Sequence, residues 1–367
     1  MKTSSEALAL VILTVFSTIA VWLPFFLGWN SILGVQLPET GSDVISRYLD
    51  GPLYVVVSKT FYAPVSGLYD LLNLPPAYFA SHFPLYPLFI WAFSFIGAFN
   101  SMLLITLLSS IGAVLAFYFL LKDFKLSQKP FLLAAFFVFF PFRWLLYHSV
   151  GASEPLFVFL SLAAFYFFRK DDFSKAGVLG ALATLTRPAG IALFLAFYAA
   201  LYLRKRPLNS NKTLPLWLIP ASLVAMVAFF AVRFSIFAPF LTVNSFYLQG
   251  FLSGITAYDG AVGGEFVALL MVIYGMGALR LLAQKHYEYF VYSGLLILPV
   301  LFLSHNDISR YLIPIAPFCL FLGFKEIWEN KYAAYALPII ILVGLIYAWT
   351  TIPHNLVSNA AYLGLLS

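Results

Sequence analysis

The stretch 83-FPLYPLFIWAFSFIGA-98 decides how the rest of the chain is laid out. Counted as a full membrane crossing, it puts the loop carrying Lys122, Lys125 and Lys129 outside. Left at the outer surface as a shallow or re-entrant helix, it puts that loop inside. Short cytoplasmic loops collect Lys and Arg, so the second reading is the consistent one. Phe83 and Tyr86 in "FPLYP" also suit the headgroup zone, where aromatic rings gather.

The question arises because the chain around this stretch is a membrane sequence. Of its 367 residues 62% are hydrophobic and 10% charged, against about 25% charged in an ordinary soluble domain. Apolar runs approaching or reaching the ~20 residues that a helix needs to cross ~30 Å of hydrocarbon recur from end to end. They are continuous, not alternating, which excludes an outer-membrane barrel. The expected fold is therefore an all-α polytopic membrane bundle of about 11 transmembrane helices with a long first external loop, 28–100, carrying interfacial helices. The candidate spans are Ala7–Leu27, Ser101–Leu121, Phe131–Tyr147, Glu154–Phe168, Lys175–Arg187, Ile191–Leu203, Leu214–Phe237, Phe266–Leu282, Phe290–Ser304, Tyr311–Phe324 and Ala333–Thr350. The first reads as an uncleaved span, because it is too long for a signal h-region.

With this layout fifteen of the 21 cations fall inside, the N-terminus is cytoplasmic and the C-terminus external. The other six are Arg47, Lys59, Arg143, Arg187, Arg233 and Arg310. An arginine near a helix centre costs about 3 kcal/mol on the insertion scale, so Arg143, Arg187, Arg233 and Arg310, in or near the outer halves of spans, need a reason. Arg187 lies in "TRPAG", where Pro188 and Gly190 interrupt a helix. Such breaks are tolerated at membrane depth only beside a polar cavity or packed in protein, so Arg187 is expected at the floor of an outward-facing cavity. The net charge of +6 follows from the inner loops, and nothing suggests nucleic acid. The single cysteine, Cys319, permits no intrachain disulfide.

Asp43 and Asp50 from the first loop, His148, Ser153 and Glu154 from "YHSVGASEP", Arg187, Asp259, and His305, Asp307 and Arg310 from "SHNDISRYL" all project onto one outer rim. Asp50, in "LDGP", is the sharpest of them: a carboxylate at that position could take a proton from a sugar or lipid hydroxyl. It could equally cap the helix that Pro52 opens. Asp43 reads as a turn residue. Arginine forks suit phosphate oxygens, with Arg187 and Arg310 the leading candidates, Arg143 next and Arg233 last. Their alternative role is pairing with Glu154, Asp307 or a carbonyl. Glu154 could simply favour a helix N-terminus, and His148 and His305 could be interfacial. No metal-ligand spacing, nucleotide-binding glycine loop or Ser/His/Asp order stands out, so no cofactor is implied.

Taken in order, "DGPLY", "HFPLYPLF", "YHSVGASEPLFVFLSLAAFYFFRK", "GALATLTRPAGIAL" and "SRYLIPIAPF" resemble the PIG-V-type mannosyltransferases and their prokaryotic relatives in the GT-C glycosyltransferase superfamily. The similarity runs from about Asp43 to Leu203 and returns near Arg310, which suggests a catalytic transmembrane module, 1–203, followed by variable helices, 204–367, without a soluble domain. The resemblance implies metal-independent, inverting transfer of a sugar, mannose by family, from a polyprenyl-phosphate donor to a lipid-linked or glycolipid acceptor on the non-cytoplasmic face, among membrane lipids. It maps the family's first-loop aspartate onto Asp50, its serine/glutamate motif onto Ser153 and Glu154, its T-R-x-x-G onto Thr186, Arg187 and Gly190, and its R-Y-L onto Arg310, Tyr311 and Leu312. Where the family has a tryptophan before the aspartate, this chain has Leu49. The competing reading is a transporter or flippase of a lipid-linked or anionic solute. Transporters of that kind usually show matched broken helices in two halves, and here only one interruption is evident. A third reading is a non-catalytic, lipid-binding scaffold.

Overall fold

A computed structural model describes residues 2–63, 67–208, 211–241, 250–256, 261–304 and 307–367. Among these the chain is almost wholly helical, and the one sheet is a two-residue hairpin pairing Ser31–Ile32 with Val35–Gln36. Among the described residues five helices are long and apolar enough to cross a membrane: Thr3–Phe26, Ala98–Asp123, Leu214–Phe234, Gly263–Ala283 and Ala333–His354. The other expected spans are shorter helices, among them Glu154–Arg169, Phe173–Thr186, Ile191–Leu203 and Tyr287–Val300.

The segment 83–98 folds as a helix of eight residues, Leu85–Ala92, then one 3₁₀ turn, Ser94–Ile96, before Gly97 at φ +93° starts the next helix. Eight residues rise only about 12 Å, so this helix is too short to cross. Tyr86 is fully buried and its hydroxyl meets Thr106 Oγ1 at 2.6 Å, fastening the short helix to Ala98–Asp123, while Trp91 and Phe95 stay exposed.

Two expected spans are broken. Residues 131–147 form two helices, Pro130–Phe139 and Phe142–Tyr147. Phe140, preceding Pro141, is forced out of the helical region to φ −140°, ψ 143°, as a residue before proline is. Residues 311–324 wind as Ile308–Tyr311, Ile313–Ile315 and a π-helical Pro317–Leu322, punctuated by Pro314 and Pro317.

Glu154–Arg169 is the central helix, packed against both Ala98–Asp123 and Phe173–Thr186. Its Phe165 collects Phe197, Tyr289, Tyr292 and Phe318 at centroid distances of 5.0 to 5.3 Å. Of these rings Phe197 comes before residue 204 and the other three after it. At the far end of the same helix the buried Glu288 carboxylate takes Arg169 at 2.9 Å and Arg204 at 2.5 Å, neutralising a charge that burial alone would make costly. The central helix is thus fixed at one end, and its other end is where the site forms.

Candidate active site

Glu154 begins the central helix, followed by Pro155, and Ser153 at the cap position makes no side-chain cap bond. Arg187 directly follows Phe173–Thr186. Pro188 drives it to an extended φ −153°, ψ 136°, which ends the helix. Gly190 is required in this break: a Cβ there would lie 2.5 Å from the Thr184 amide nitrogen. Arg310 sits in the short helix Ile308–Tyr311. Asp50 precedes Gly51–Thr60, whose first turn holds Pro52.

Asp50 stands at the N-cap position, but its side chain makes no cap hydrogen bond. It accepts instead from Arg310 Nη2 at 2.5 Å. Arg310 Nε donates to Glu154 Oε1, and the same oxygen accepts from Arg187 Nη1 at 2.5 Å. Arg187 also reaches Ser153 Oγ at 3.4 Å, and Ser153 Oγ bonds the Tyr54 hydroxyl at 2.6 Å. Two carboxylates and two guanidiniums from four separated segments therefore form one chain of formal charge zero. The Arg310 guanidinium lies over the Tyr147 ring, 4.8 Å from its centroid, a cation–π contact that holds its plane.

This chain borders a cavity of about 750 Å³. Asp50, Arg187, Arg310 and Tyr311 line it together with Tyr54, Tyr78, Ser81 and His82, and Leu53, Leu74, Phe240 and Leu303 supply apolar wall. The Asp50 and Arg187 side chains keep 20% and 22% of their surface exposed, whereas Glu154 keeps 1%. A ligand in the cavity can touch the first two, while Glu154 works from beneath through the arginines. Burial pushes the Asp50 carboxyl upward, but the adjacent Arg310 charge, with Arg187 adding to it, outweighs burial and holds it below the usual carboxylate value. Burial pushes the His82 imidazole down to about 4, so it is neutral near pH 7.

Several expected residues lie elsewhere. Asp43 is not in the cavity wall; it pairs with Arg47 at 2.8 Å, one helical turn along the same segment. His148 is buried beneath the site, its ring 3.4 Å from Thr18 Oγ1 and 3.2 Å from the Val138 carbonyl, because Phe142–Tyr147 turns it inward. Arg143 is used up by Asp307, with Nε 2.5 Å from Oδ1, and by the Tyr347 hydroxyl at 2.8 Å. Arg233 donates to the Tyr62 carbonyl at 2.8 Å. Ser153 underlies Arg187 without lining the cavity. Asp259 and His305 lie outside the described residues. Among the described residues no three His, Cys, Asp or Glu side chains converge as metal ligands.

Sequence reasoning passed over His82, Ser81 and the wall formed by Val357, Ser358 and Ala361. His82 directly precedes "FPLYP" and could have been noticed as the one histidine there. The 357–361 wall carries no sequence signal, since its residues are ordinary and far from Asp50 along the chain.

In sequence comparisons no family model and no curated protein matches the chain. Among solved structures it is similar to ArnT from Cupriavidus metallidurans bound to undecaprenyl phosphate, with a TM-score of 0.55 and 13% identity over 97% of this chain and 76% of that one. Two structures of the Archaeoglobus fulgidus oligosaccharyltransferase, one tethered to an acceptor peptide and one in the apo form, align at TM-scores of 0.47 and 0.48 with 13% and 11% identity. They cover 95% of this chain and 54% and 55% of theirs. The likeness is one of fold: this chain shares the overall helical fold of that ArnT structure. The chain is an integral membrane protein with an arginine-bearing cavity.

Proposed function

We propose that the chain is an inverting glycosyltransferase that moves a sugar from a polyprenyl-phosphate donor to a hydroxyl of a lipid-linked or glycolipid acceptor. The observation that carries this reading is that Asp50 and Arg187, both partly exposed, share one cavity with Arg310, which joins the Asp50 and Glu154 carboxylates. Asp50 takes the proton of the acceptor hydroxyl as its oxygen bonds to the sugar's anomeric carbon. The bond from that carbon to the phosphate breaks on the opposite face, and polyprenyl phosphate departs. Arg187 and Arg310 meet the negative charge that gathers on the phosphate, and fixed guanidiniums in a poorly hydrated site stabilise such charge most. Glu154, beneath them, keeps the two like charges together before the phosphate arrives.

Mannose is the proposed sugar, supported by the resemblance of "DGPLY", "TRPAG" and "SRYL" to the PIG-V-type enzymes. The cavity is proposed to face the non-cytoplasmic side, with eleven crossings and the N-terminus in the cytoplasm. Fifteen of 21 cations then fall inside, and exposed Trp91 and Phe95 lie at the outer headgroups. The apolar wall at Phe240, Pro299 and Leu303 suits a polyprenyl chain.

The test is transfer of label from polyprenyl-phosphate-mannose, and from other polyprenyl-phosphate sugars, into lipid extract by membranes holding the protein. Transfer from the mannose donor that Asp50→Asn abolishes, with the variant still folded, is the expected result. No transfer from any such donor, together with solute or lipid flux across vesicles, would replace this reading with the transporter.

A further inference from the structure

Asp50 inherits its position from the backbone just before it, and that backbone is unusual. Leu49 has φ +43°, a region uncommon for a residue with a side chain. Such a conformation persists only where its surroundings hold it. The restraint comes from a distant part of the chain. The Leu49 amide donates to the Asn355 carbonyl at 2.8 Å and the Val357 amide to the Arg47 carbonyl at 2.9 Å, on either side of an antiparallel bridge between Tyr48 and Leu356. A pairing this short, with no third strand, is weak by itself.

Arg47 reinforces it. Its side chain is 3% exposed, with Nη1 donating to the Val357 carbonyl at 3.1 Å, Nη2 bonded to Glu39 and Nε paired with Asp43 at 2.8 Å. Two carboxylates hold the guanidinium from one side while it grips the crossing segment from the other. The segment is also tied on both sides of Asp50: the Ser46 hydroxyl meets Tyr362 at 3.3 Å, the Tyr362 ring sits 4.7 Å from Phe99, and Lys59 bonds the Leu365 carbonyl. Val357, Ser358 and Ala361 of this segment line the same cavity as Asp50.

We propose that Arg47 is a positioning residue, which locks segment 355–366 across the chain ahead of Asp50 and so sets the carboxylate against the acceptor hydroxyl. The role in transfer rests on the reading of Asp50 given above. Arg47 touches no substrate; it acts through the Val357 carbonyl and the 47–49 backbone.

The experiment combines hydrogen exchange with kinetics on the full-length protein in detergent, comparing wild type, Arg47→Met, Arg47→Lys and Val357→Pro. In Arg47→Met the amides of 47–49 and 355–357 exchange at least about tenfold faster while Ala98–Asp123 is unchanged, the signature of local opening. Its kcat falls roughly 10–100-fold, the cost of a small misplacement, with the donor KM within about twofold of wild type. Arg47→Lys, which keeps the charge but loses the fork, recovers part of both. Val357→Pro removes one ladder donor and gives the same pattern should Arg47→Met not fold. Unchanged exchange in both disruptive variants, or faster exchange with undiminished kcat, overturns the inference. A folded wild type that transfers no sugar overturns the glycosyltransferase reading and with it the role of Arg47 in transfer, and the exchange data still decide whether Arg47 locks the segment.

Discussion

Arg310 donates from Nη2 to the Asp50 carboxylate at 2.5 Å, joining residues 260 positions apart. That pairing makes the Asp50 side chain part of an ionic chain and not a helix cap. It also sets what each substitution along the chain should do.

Asp50→Asn keeps the shape of the side chain and removes its capacity to take a proton. Transfer should fall by about 10²–10⁴-fold, the usual share of a general base. Membrane level and thermal unfolding should change little beside that. Undiminished turnover of labelled donor in the variant would remove Asp50 from the chemistry.

Arg187 has 22% of its side chain exposed and faces the cavity. Arg187→Gln should cut kcat by about 100-fold, as loss of one fixed donor to a developing oxyanion does. Arg187→Lys should recover only part, because a lysine gives a point charge without a fork. Steady-state kinetics over a range of donor concentration checks both.

Glu154 is 1% exposed and its Oε1 takes both arginines. Glu154→Ala leaves two guanidiniums close together with one carboxylate, and breaking a buried ion pair costs about 3–5 kcal/mol. A clear drop in the unfolding midpoint in detergent is expected, larger than that of Asp50→Asn. A variant as stable as wild type would show that water or lipid already balances the arginines.

The pH response follows from two groups in the first loop. Arg310 holds the Asp50 carboxyl below its ordinary value, so Asp50 stays ionised and transfer should be flat from about pH 8 to about pH 5, falling only as the usual carboxylate range is passed. Burial holds His82 at about 4 against an ordinary 6.5. The unfolded chain therefore binds the extra proton first, and folding stability declines as pH drops from 6.5 toward 4, by up to about 1.4 kcal/mol per unit for this one group. His82→Gln should flatten that limb in denaturation curves taken at a series of pH values.

How far the sequence could be read is clearest residue by residue. The "TRPAG" break was legible because Pro188 acts on its immediate neighbour, and Arg187 does leave the helix there. Where the lysines fall argued for a shallow helix over 83–98, and the helix that forms there, Leu85–Ala92, has eight residues. Arg143 was not: it carries the same signal as Arg310, and only packing against Asp307 and Tyr347 separates them. His148 looked like a rim residue from its neighbours, yet the turn before it points the ring toward Thr18.

By itself the sequence determined what depends on local composition and spacing. Apolar length requires helices that satisfy their own backbone in lipid, and proline and glycine mark the breaks. Which charges meet was decided only by the tertiary structure. Asp50, Glu154, Arg187 and Arg310 come from four segments, and segment 355–366 closes over the first of them. An ion pair needs a contact of a few ångströms, and in a helical bundle that contact is set by how helices pack, which no local pattern along the chain encodes.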